Sequence, residues 1–163
     1  MKNSVIVREL EEKDINLAAE LLIRLKKLNG EFDSIFNVSD EVEDDAKKHL
    51  RNVISGDGDH VAFVAEKGAK LIGILTMILL RRQYYLPERE ARIVDFYIMP
   101  EARRSGAGKV LIDRTYKYLR SEKIKLITAE FPSLNPIALS FYKRLGYREI
   151  VGIYGKIIDD EQA

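Results

Sequence analysis

The stretch RRSGAGK, residues 103–109, joins two elements of different periodicity and decides the fold. Before it, the apolar run ARIVDFYIMP at 91–100 predicts a strand that ends at a proline, and the pattern after it predicts a helix over 107–121. The first N–H groups of a helix have no intrahelical partner, and glycine lets the backbone approach a ligand closely. Glycines and basic residues at such a junction therefore indicate an anion site.

The composition limits the classes of protein that the chain can belong to. It has 163 residues with 46% hydrophobic and 33% charged residues, which is typical of a globular domain. A net charge of +1 argues against nucleic acid as a partner, and the longest apolar stretch, at 71–80, is too short to span a bilayer. Without cysteine or a signal peptide, we predict a single cytoplasmic domain over 1–163. His49 and His60 have no metal-ligand partners nearby in the sequence, so we expect no metal and interpret both as structural.

The remaining elements follow from periodicity and from turn residues. They give the order β-α-α-β-β-β-α-β-α-β, a mixed α/β domain whose middle strands pair antiparallel. In chain order we predict a strand at 5–10, a helix from Asp14, an irregular segment at 28–39, a helix from a capping box at Asp40 and Glu43 to about Ile54, a hairpin of HVAFVAE and KLIGILTMILL, the strand ARIVDFYIM, the helix 107–121, the strand KLITAEF, the short helix PIALSFYKRL ended by Gly146, and a last strand YREIVGIYGKII.

The glycine loop fits neither of two common phosphate-binding motifs. A Walker A loop needs Ser or Thr after its lysine, but Val110 follows Lys109. The dinucleotide fingerprint needs a third glycine, and that position is Leu111. Taken alone, the loop could also be a tight turn that carries basic side chains.

A second motif makes the assignment specific. Arg103-x-x-Gly106-x-Gly108 follows the pattern R/Q-x-x-G-x-G/A, and NPIALSFYKRLGY at 135–147 follows N-x-x-A-x-x-F-Y-x-x-x-G-[FY]. Together they resemble the GNAT superfamily of acetyl-CoA-dependent N-acetyltransferases, over roughly residues 90–150. The resemblance implies a mostly antiparallel, twisted central sheet with splayed fourth and fifth strands, flanked by helices. It also implies transfer of an acetyl group to a primary amine.

The same resemblance implies acetyl-CoA as co-substrate. The coenzyme A diphosphate would bind the loop, and pantetheine would fill the gap between the splayed strands. The residues expected to contact the coenzyme are Phe96, Ile98, Arg103, Arg104, Ser105, Gly106, Ala107, Gly108, Lys109, Asn135, Phe141 and Tyr142. Of these, Asn135 could instead be a simple helix N-cap.

Catalysis would need an acid and a base. Tyr142 occupies the family's tyrosine position and would protonate the departing thiolate, although it could instead be only a buried aromatic. For the base, Glu130 ranks first and Asp95 second, and either could be a structural carboxylate. Polyamine acetyltransferases of the family place an acid where this chain has Val94, and Asp95 would face away from that side if the strand is regular.

The acceptor is the least determined part of the site. In the family it binds between the first two helices and near the loop after the third strand, here 28–40 and 81–91. The stretch at 31–45 has acidic residues and no Lys or Arg, which suits a cationic amine of a small molecule or protein. The candidate acceptor residues are Glu31, Phe32, Asp33, Phe36, Tyr84 and Tyr85.

Two other functions stay open at this point. The chain could be a non-catalytic acyl-CoA sensor or scaffold module, or, more remotely, a nucleotide-phosphate binder on another α/β fold. The apolar alternation of the C-terminal strand would also let it join a sheet edge in a homodimer.

Overall fold

The computed structural model describes residues 4–56 and 58–160. It contains a sheet of five strands: β1 (Ile6–Glu9), β2 (His60–Lys67), β3 (Lys70–Arg81), β4 (Arg89–Ile98) and β5 (Leu126–Ala129). Their spatial order is β1-β2-β3-β4-β5. The first three strand pairs are antiparallel, and β4 and β5 are parallel, which confirms the predicted mixed α/β sheet.

Helices cover both faces of this sheet. Phe63, Leu75 and Phe96 lie opposite one another across β2, β3 and β4, so they share one face, and Thr76 and Asp95 share the other. The helices are α1 (Ile15–Phe32), α2 (Val42–Ser55), α3 (Ala107–Ser121) and α4 (Pro136–Arg144), with short 3-10 turns at Glu12–Asp14, Ser34–Phe36 and Pro100–Ser105. None of these helices, within the described ranges, is long and apolar enough to cross a membrane.

Each face of the sheet has its own helices. The ring of Phe63 lies 5.7 Å from that of Tyr118, which places α3 on the face that Phe63 shares with Phe96. On the opposite face, Asp95 contacts Lys26 of α1. The apolar side chains that recur at helical spacing along the first helix are all buried: Ile15, Ala18, Ala19, Leu22 and Leu25.

The structure corrects the predicted start and end of the N-terminal helices. The first helix runs through Gly30 to Phe32. Residues 28–32, predicted to be irregular, are therefore helical. A Cβ on Gly30 would lie 3.0 Å from Oδ1 of Asn37, so this glycine leaves room for the turn that folds back on the helix. The capping box predicted at Asp40 is also wrong, because α2 begins at Val42 without a side-chain cap.

The predicted last strand, YREIVGIYGKII, is also absent. Residues 148–158 are exposed, form no helix or strand, and pair with no strand among the described residues. An isolated strand leaves its backbone groups without partners, so an apolar alternating pattern forms one only where a neighbouring strand is available. Among the described residues, this stretch therefore has the apolar pattern of a strand but no neighbouring strand.

Candidate active site

The sheet opens between β4 and β5. The two strands pair only from Glu90 to Ile93, and the last bond between them runs from the N–H of Glu130 to the carbonyl of Ile93, at 3.0 Å. Strand β4 then continues to Ile98, and on that side no other described strand pairs with it. The predicted splay is confirmed, and it leaves a wedge-shaped gap, the β4–β5 wedge.

The backbone of β4 offers hydrogen-bonding groups to this wedge. The N–H of Met99 donates to the carbonyl of Ile72 at 2.8 Å and so points toward β3. Backbone groups alternate in direction along a strand, so those of Phe96 and Ile98 point the other way, into the wedge. The carbonyl of Ile98 already accepts a bond from Nε of Arg103 at 3.1 Å. The N–H of Ile98 and both groups of Phe96 therefore remain for a ligand.

A helix N-terminus lies beside the wedge. The 3-10 turn at Pro100–Ser105 ends at Gly106, whose φ of +81° suits glycine, and α3 begins at Ala107. The N–H groups at the start of α3 have no intrahelical partner and sit at the positive end of the helix dipole. A Cβ on Gly108 would lie 3.4 Å from Cζ of Phe96, which shows how closely the loop approaches β4. This geometry is suited to an anion.

The basic side chains of the loop differ in whether they already have a hydrogen-bond or ion-pair partner. Besides its bond to Ile98, Arg103 lies over the ring of Tyr97, 5.8 Å from its centroid. Lys109 forms an ion pair with Asp113 at 2.6 Å. Arg104 is exposed, and it has no hydrogen-bond or ion-pair partner in the described part of the chain. Arg104 is therefore the loop cation most available to a phosphate.

The side chain of Asn135 caps the start of α4. Its Oδ1 accepts bonds from the N–H groups of Ile137 and Ala138, both at 3.1 Å, so the side chain is the N-cap of α4. Pro136 follows at the first helical position, where a missing N–H has little effect. The cap fixes where α4 begins and hence where its aromatic residues lie.

Aromatic side chains close one end of the wedge. Phe141 stacks on Phe96 with ring centroids 5.0 Å apart, and Tyr142 stacks on Phe131 at 5.4 Å. These pairs connect α4 to β4 and to the chain just after β5. Burial raises the pKa of Tyr142 well above its ordinary value, so its hydroxyl stays protonated at neutral pH.

A second feature lies on the other face of the sheet. It is a cavity of about 350 Å³, the α1–α2 cavity, which brings together both carboxylates expected as bases. Its wall combines apolar and charged side chains from both N-terminal helices, β4 and the end of β5. The lining residues are Leu22, Ile23, Lys26, Ser39, Val42, Asp45, Ala46, His49, Val94, Asp95 and Glu130.

A bulge in β4 turns two successive residues to this cavity. Thr76 pairs with Asp95, but the next residue, Met77, pairs with Ile93, so Val94 is an extra residue. Val94 and Asp95 both line the cavity. The expectation that Asp95 faces away from the side of Val94 assumed a regular strand and is wrong, because the bulge breaks the alternation.

The two candidate bases differ in their partners. Asp95 accepts a bond from Nζ of Lys26 at 2.5 Å on one oxygen and from Oγ1 of Thr76 at 2.6 Å on the other. Glu130 is exposed, and no other described residue forms a hydrogen bond or ion pair with its side chain. Asp95 is therefore held in place as an acceptor of two bonds, whereas Glu130 is available to a substrate.

The structure also brings His49 into the cavity, which the sequence did not indicate. Its ring makes an edge-to-face contact with that of His60 at 5.1 Å. Burial lowers the pKa of His49, which favours the neutral imidazole at neutral pH. Only the packing of α2 against α1 and β2 reveals this placement, because a single histidine on an amphipathic helix carries no motif.

The residues expected to bind the acceptor do not lie together. Tyr84 and Tyr85 belong to a separate surface cavity of about 180 Å³ after β3. The other four candidates are at the end of α1 and in the turn after it, and none lines the α1–α2 cavity: Glu31, Phe32, Asp33 and Phe36. Within the described ranges, no group of three acidic or histidine side chains could hold a metal ion.

A sheet splayed beside a glycine loop, with helices on both faces, defines the class of acetyltransferase-like α/β domains. The sequence model of the acetyltransferase (GNAT) family matches residues 25–147. The chain therefore belongs to the GNAT family. No curated protein matches it at the sequence level.

Solved structures with the same fold cover nearly the whole chain. A predicted acetyltransferase from Clostridium acetobutylicum with acetyl-CoA is 16% identical with a TM-score of 0.75, covering 94% of this chain and 96% of its own. The aminoglycoside acetyltransferase meta-AAC0020, from an uncultured soil metagenomic sample and in complex with sisomicin, is 24% identical with a TM-score of 0.68, covering 94% and 97%. The aminoglycoside N-acetyltransferase AAC(6')-Iy with CoA is 16% identical with a TM-score of 0.74, covering 94% and 95%.

Proposed function

We propose that this chain, as a single domain over residues 1–163, is an acetyl-CoA-dependent N-acetyltransferase that moves the acetyl group directly to a primary amine. The observation that carries the proposal is the β4–β5 wedge, which ends at the free N–H groups of α3. Such a wedge can accept an extended chain as an added strand, and the helix start can accept its phosphates. Acetyl-CoA has both parts in this order.

The coenzyme would bind mainly through backbone groups. Its diphosphate would accept bonds from the N–H groups of residues 104–109, and the exposed Arg104 would add a charged bond. Pantetheine would follow β4 and pair with the free groups of Phe96 and Ile98. The thioester carbonyl would then lie near the N–H of one of these residues, which would stabilise the oxyanion of the tetrahedral intermediate.

The α1–α2 cavity would supply the amine. Asp45 and Glu130 attract a cationic amine to its rim, and Leu22 and Val42 can pack against the carbon skeleton. A small molecule or a protein amine satisfies this chemistry. The complex of meta-AAC0020 with sisomicin supports an amine-rich acceptor for this fold. The six acceptor residues expected from the sequence lie outside the lining of this cavity.

Proton transfer follows from the partners of each group. The amine nitrogen must lose a proton before or during its attack on the thioester carbon, and Glu130 can accept it directly or through water. The C–S bond then breaks, and Tyr142 donates to the sulfur. Because burial raises the pKa of Tyr142, a lasting tyrosinate is unfavourable, so its oxygen must take up a proton from solvent water as it gives its own to the sulfur, while the proton lost by the amine leaves through Glu130 to solvent. His49, which favours the neutral form, is a second proton acceptor in the same cavity.

Thiol release tests the proposal directly. Purified protein is mixed with acetyl-CoA and with pools of polyamines, aminoglycosides, amino acids and peptides, and free thiol is followed with a disulfide reagent. The chain has no cysteine, so every thiol signal comes from coenzyme A. We expect release with one pool, and an acetylated amine of matching mass. Acetyl-CoA binding without release in any pool would favour the sensor or scaffold module instead.

A further inference from the structure

A buried carboxylate, Glu90, lies on the sheet outside the α1–α2 cavity. The residue is 6% exposed. Its Oε1 accepts bonds from Oγ1 of Thr128 at 2.5 Å and from Nε of Arg92 at 3.0 Å. Its Oε2 lies 3.9 Å from Nε of Arg82. A carboxylate is costly to remove from water unless cations and donors surround it, so these side chains form one connected group, the Glu90 cluster.

The Glu90 cluster lies on the same face of the sheet as the cavity. Asp95, Arg92 and Glu90 are opposite residues 76, 78 and 80 of β3. Alternate residues of a strand point to one face, so these three partners on β4 also share a face. Asp95 lines the α1–α2 cavity. Arg92 is therefore the cluster residue of β4 that comes next to the cavity.

Arg92 also lies next to the proposed base. It is opposite Thr128 of β5. Glu130 follows Thr128 by two residues, and its N–H still bonds to the carbonyl of Ile93. Residues two apart on a strand point to the same face and are roughly 7 Å apart. Since Glu130 lines the cavity, the guanidinium of Arg92 lies beside the end of the cavity at which Glu130 would meet the acceptor amine.

One edge of this guanidinium is free. Nε and Nη2 of Arg92 each lie 3.0 Å from Oε1 of Glu90. Nη1 has no hydrogen-bond or ion-pair partner in the described part of the chain, and the side chain is 37% exposed. The outer Nη1–Nη2 edge presents two parallel N–H groups, which match the two oxygens of a carboxylate. Glu90 therefore holds the guanidinium by one edge and leaves the carboxylate-binding edge open to a ligand.

The charge distribution distinguishes between kinds of amine. Two arginines share one carboxylate in the Glu90 cluster, so one positive charge is not balanced within the cluster. The cavity beside it has the opposite excess, because Asp45 and Glu130 both line it and the lysine in its lining is paired with Asp95. A molecule with an ammonium at one end and a carboxylate at the other suits both. A polyamine or an aminoglycoside carries only positive groups, which Arg92 would repel.

We propose that Arg92 binds the carboxylate of the acceptor, and that the acceptor is a free amino acid whose amine faces Glu130. This inference rests on the proposed acetyl transfer and narrows its acceptor. In the reaction the amino nitrogen bonds to the acetyl carbon as the C–S bond breaks, and the protons of the amine leave through Glu130. Coenzyme A leaves as the thiol, and the carboxylate stays unchanged on Arg92. Because Glu90 already holds the guanidinium, little freedom is lost when the carboxylate binds.

Matched substrates test this assignment. Thiol release from acetyl-CoA is measured with a pool of the common amino acids and with a pool of their amides, which keep the amine and lack the carboxylate. For amino acids, Arg92→Gln should raise KM by about 10- to 100-fold and change kcat by less than about twofold, because the lost charged bond is equally strong in substrate and transition state. The amides should show that raised KM already with the natural chain, and Arg92→Gln should not raise it further.

Two further variants are the controls. Arg89→Gln removes the same charge from the same strand, but Nη1 of Arg89 donates to the carbonyl of Glu122, just after α3, on the other face of the sheet. Its KM for amino acids should equal that of the natural chain. Arg92→Lys keeps a cation beside Glu90 and so protects the fold, but it lacks the paired N–H edge and should raise KM by about tenfold. Circular dichroism checks the fold of every variant.

Calorimetry with the same two pools, in the presence of coenzyme A without an acetyl group, separates this inference from the proposed function. We expect amino acids to bind the natural chain and Arg89→Gln, and to bind Arg92→Gln about 10- to 100-fold more weakly. Such binding without thiol release from acetyl-CoA would keep the carboxylate site and count against the transferase. The inference is overturned if no amino acid binds, if amides bind as tightly as amino acids, if Arg92→Gln and Arg89→Gln behave alike, or if only polyamines, aminoglycosides or peptides release thiol.

Discussion

Replacing Tyr142 with Phe isolates the chemistry of one oxygen atom. The phenyl ring keeps its place on Phe131, where the centroids are 5.4 Å apart. In the described part of the chain the hydroxyl makes no hydrogen bond, so its loss leaves no partner unsatisfied. We therefore expect the free energy of unfolding to change by less than about 0.5 kcal/mol.

The effect on the rate should be far larger. A positioned acid contributes roughly 10²- to 10⁴-fold, which corresponds to about 3–5 kcal/mol of transition-state stabilisation. The hydroxyl acts on charge that develops on sulfur only as the C–S bond breaks. We therefore expect kcat to fall by that factor, while the Kd of acetyl-CoA changes by less than about twofold.

Tyr147→Phe is the matched control. Its ring lies 5.0 Å from that of Tyr142, and burial raises the pKa of both residues, but its hydroxyl bonds to Tyr116 at 3.2 Å. Removing that oxygen should lower stability by about 1 kcal/mol and leave kcat nearly unchanged. Tyr142→Phe should therefore lose rate but not stability, and Tyr147→Phe should lose stability but not rate.

Thiol release measures kcat, calorimetry measures the Kd of acetyl-CoA, and urea unfolding measures stability. Because burial holds the pKa of Tyr142 above its ordinary value of 10.0, ionisation of this residue should not lower the natural rate between pH 8 and pH 10. The acid role is refuted if Tyr142→Phe keeps more than half of kcat, or if both tyrosine variants lose rate equally.

Three further changes test other parts of the structure. Gly106→Ala and Gly56→Ala each force alanine into a positive φ, of +81° and +71°, so each should lower the free energy of unfolding by roughly 1 kcal/mol. Only Gly106→Ala should weaken acetyl-CoA binding. Equal Kd values for the two variants would contradict the role of the loop. Glu130→Gln should lower kcat/KM by about 10- to 100-fold and leave the free energy of unfolding unchanged. Asp95→Asn should instead lower the free energy of unfolding in urea by about 1–3 kcal/mol, because it weakens the bond to a lysine of α1. If Asp95→Asn is slow but fully stable, Asp95 and not Glu130 is the base. Asp14→Asn breaks a bidentate ion pair with an arginine of β1 and should cost about 1–3 kcal/mol at pH 7. That ion pair lowers the pKa of Asp14 below its ordinary 3.8, so the carboxylate stabilises the fold fully above about pH 4. In unfolding curves measured at lower pH, the difference in stability between the natural chain and Asp14→Asn should disappear.

Helices were predicted better than isolated strands. The helix over 107–121 has the ends that the sequence indicated, because its signals lie within the segment: a glycine before it and apolar residues at helical spacing. The segment at 148–158 has equally clear apolar alternation but forms no strand. Hydrogen bonds of a helix are made within it, whereas those of a strand depend on a neighbour elsewhere.

The bulge at Val94 shows a finer limit of sequence patterns. The apolar run of β4 indicates a strand, and alternation then assigns successive residues to opposite faces. One unpaired residue opposite β3 cancels that assignment and brings Asp95 to the same cavity as Val94. The bulge is set by pairing with residues of β3 that lie 16 to 19 positions earlier in the chain, Met77 with Ile93 and Thr76 with Asp95, so no local signal in β4 reveals it.

The sequence by itself determined the half of the site proposed to hold the coenzyme. The loop at 103–109 and the start of α4 are short, contiguous motifs, and the groups proposed to bind the diphosphate are backbone N–H groups of the loop, whose direction follows from local dihedral angles. Only the tertiary structure decided the other half. The α1–α2 cavity draws side chains from four separate stretches, so His49 meets Asp95 only after the helices pack on the sheet. The contact between Glu90 and Thr128 likewise exists only once strand order is set, because a sequence specifies which residues can pair and packing decides which of them do.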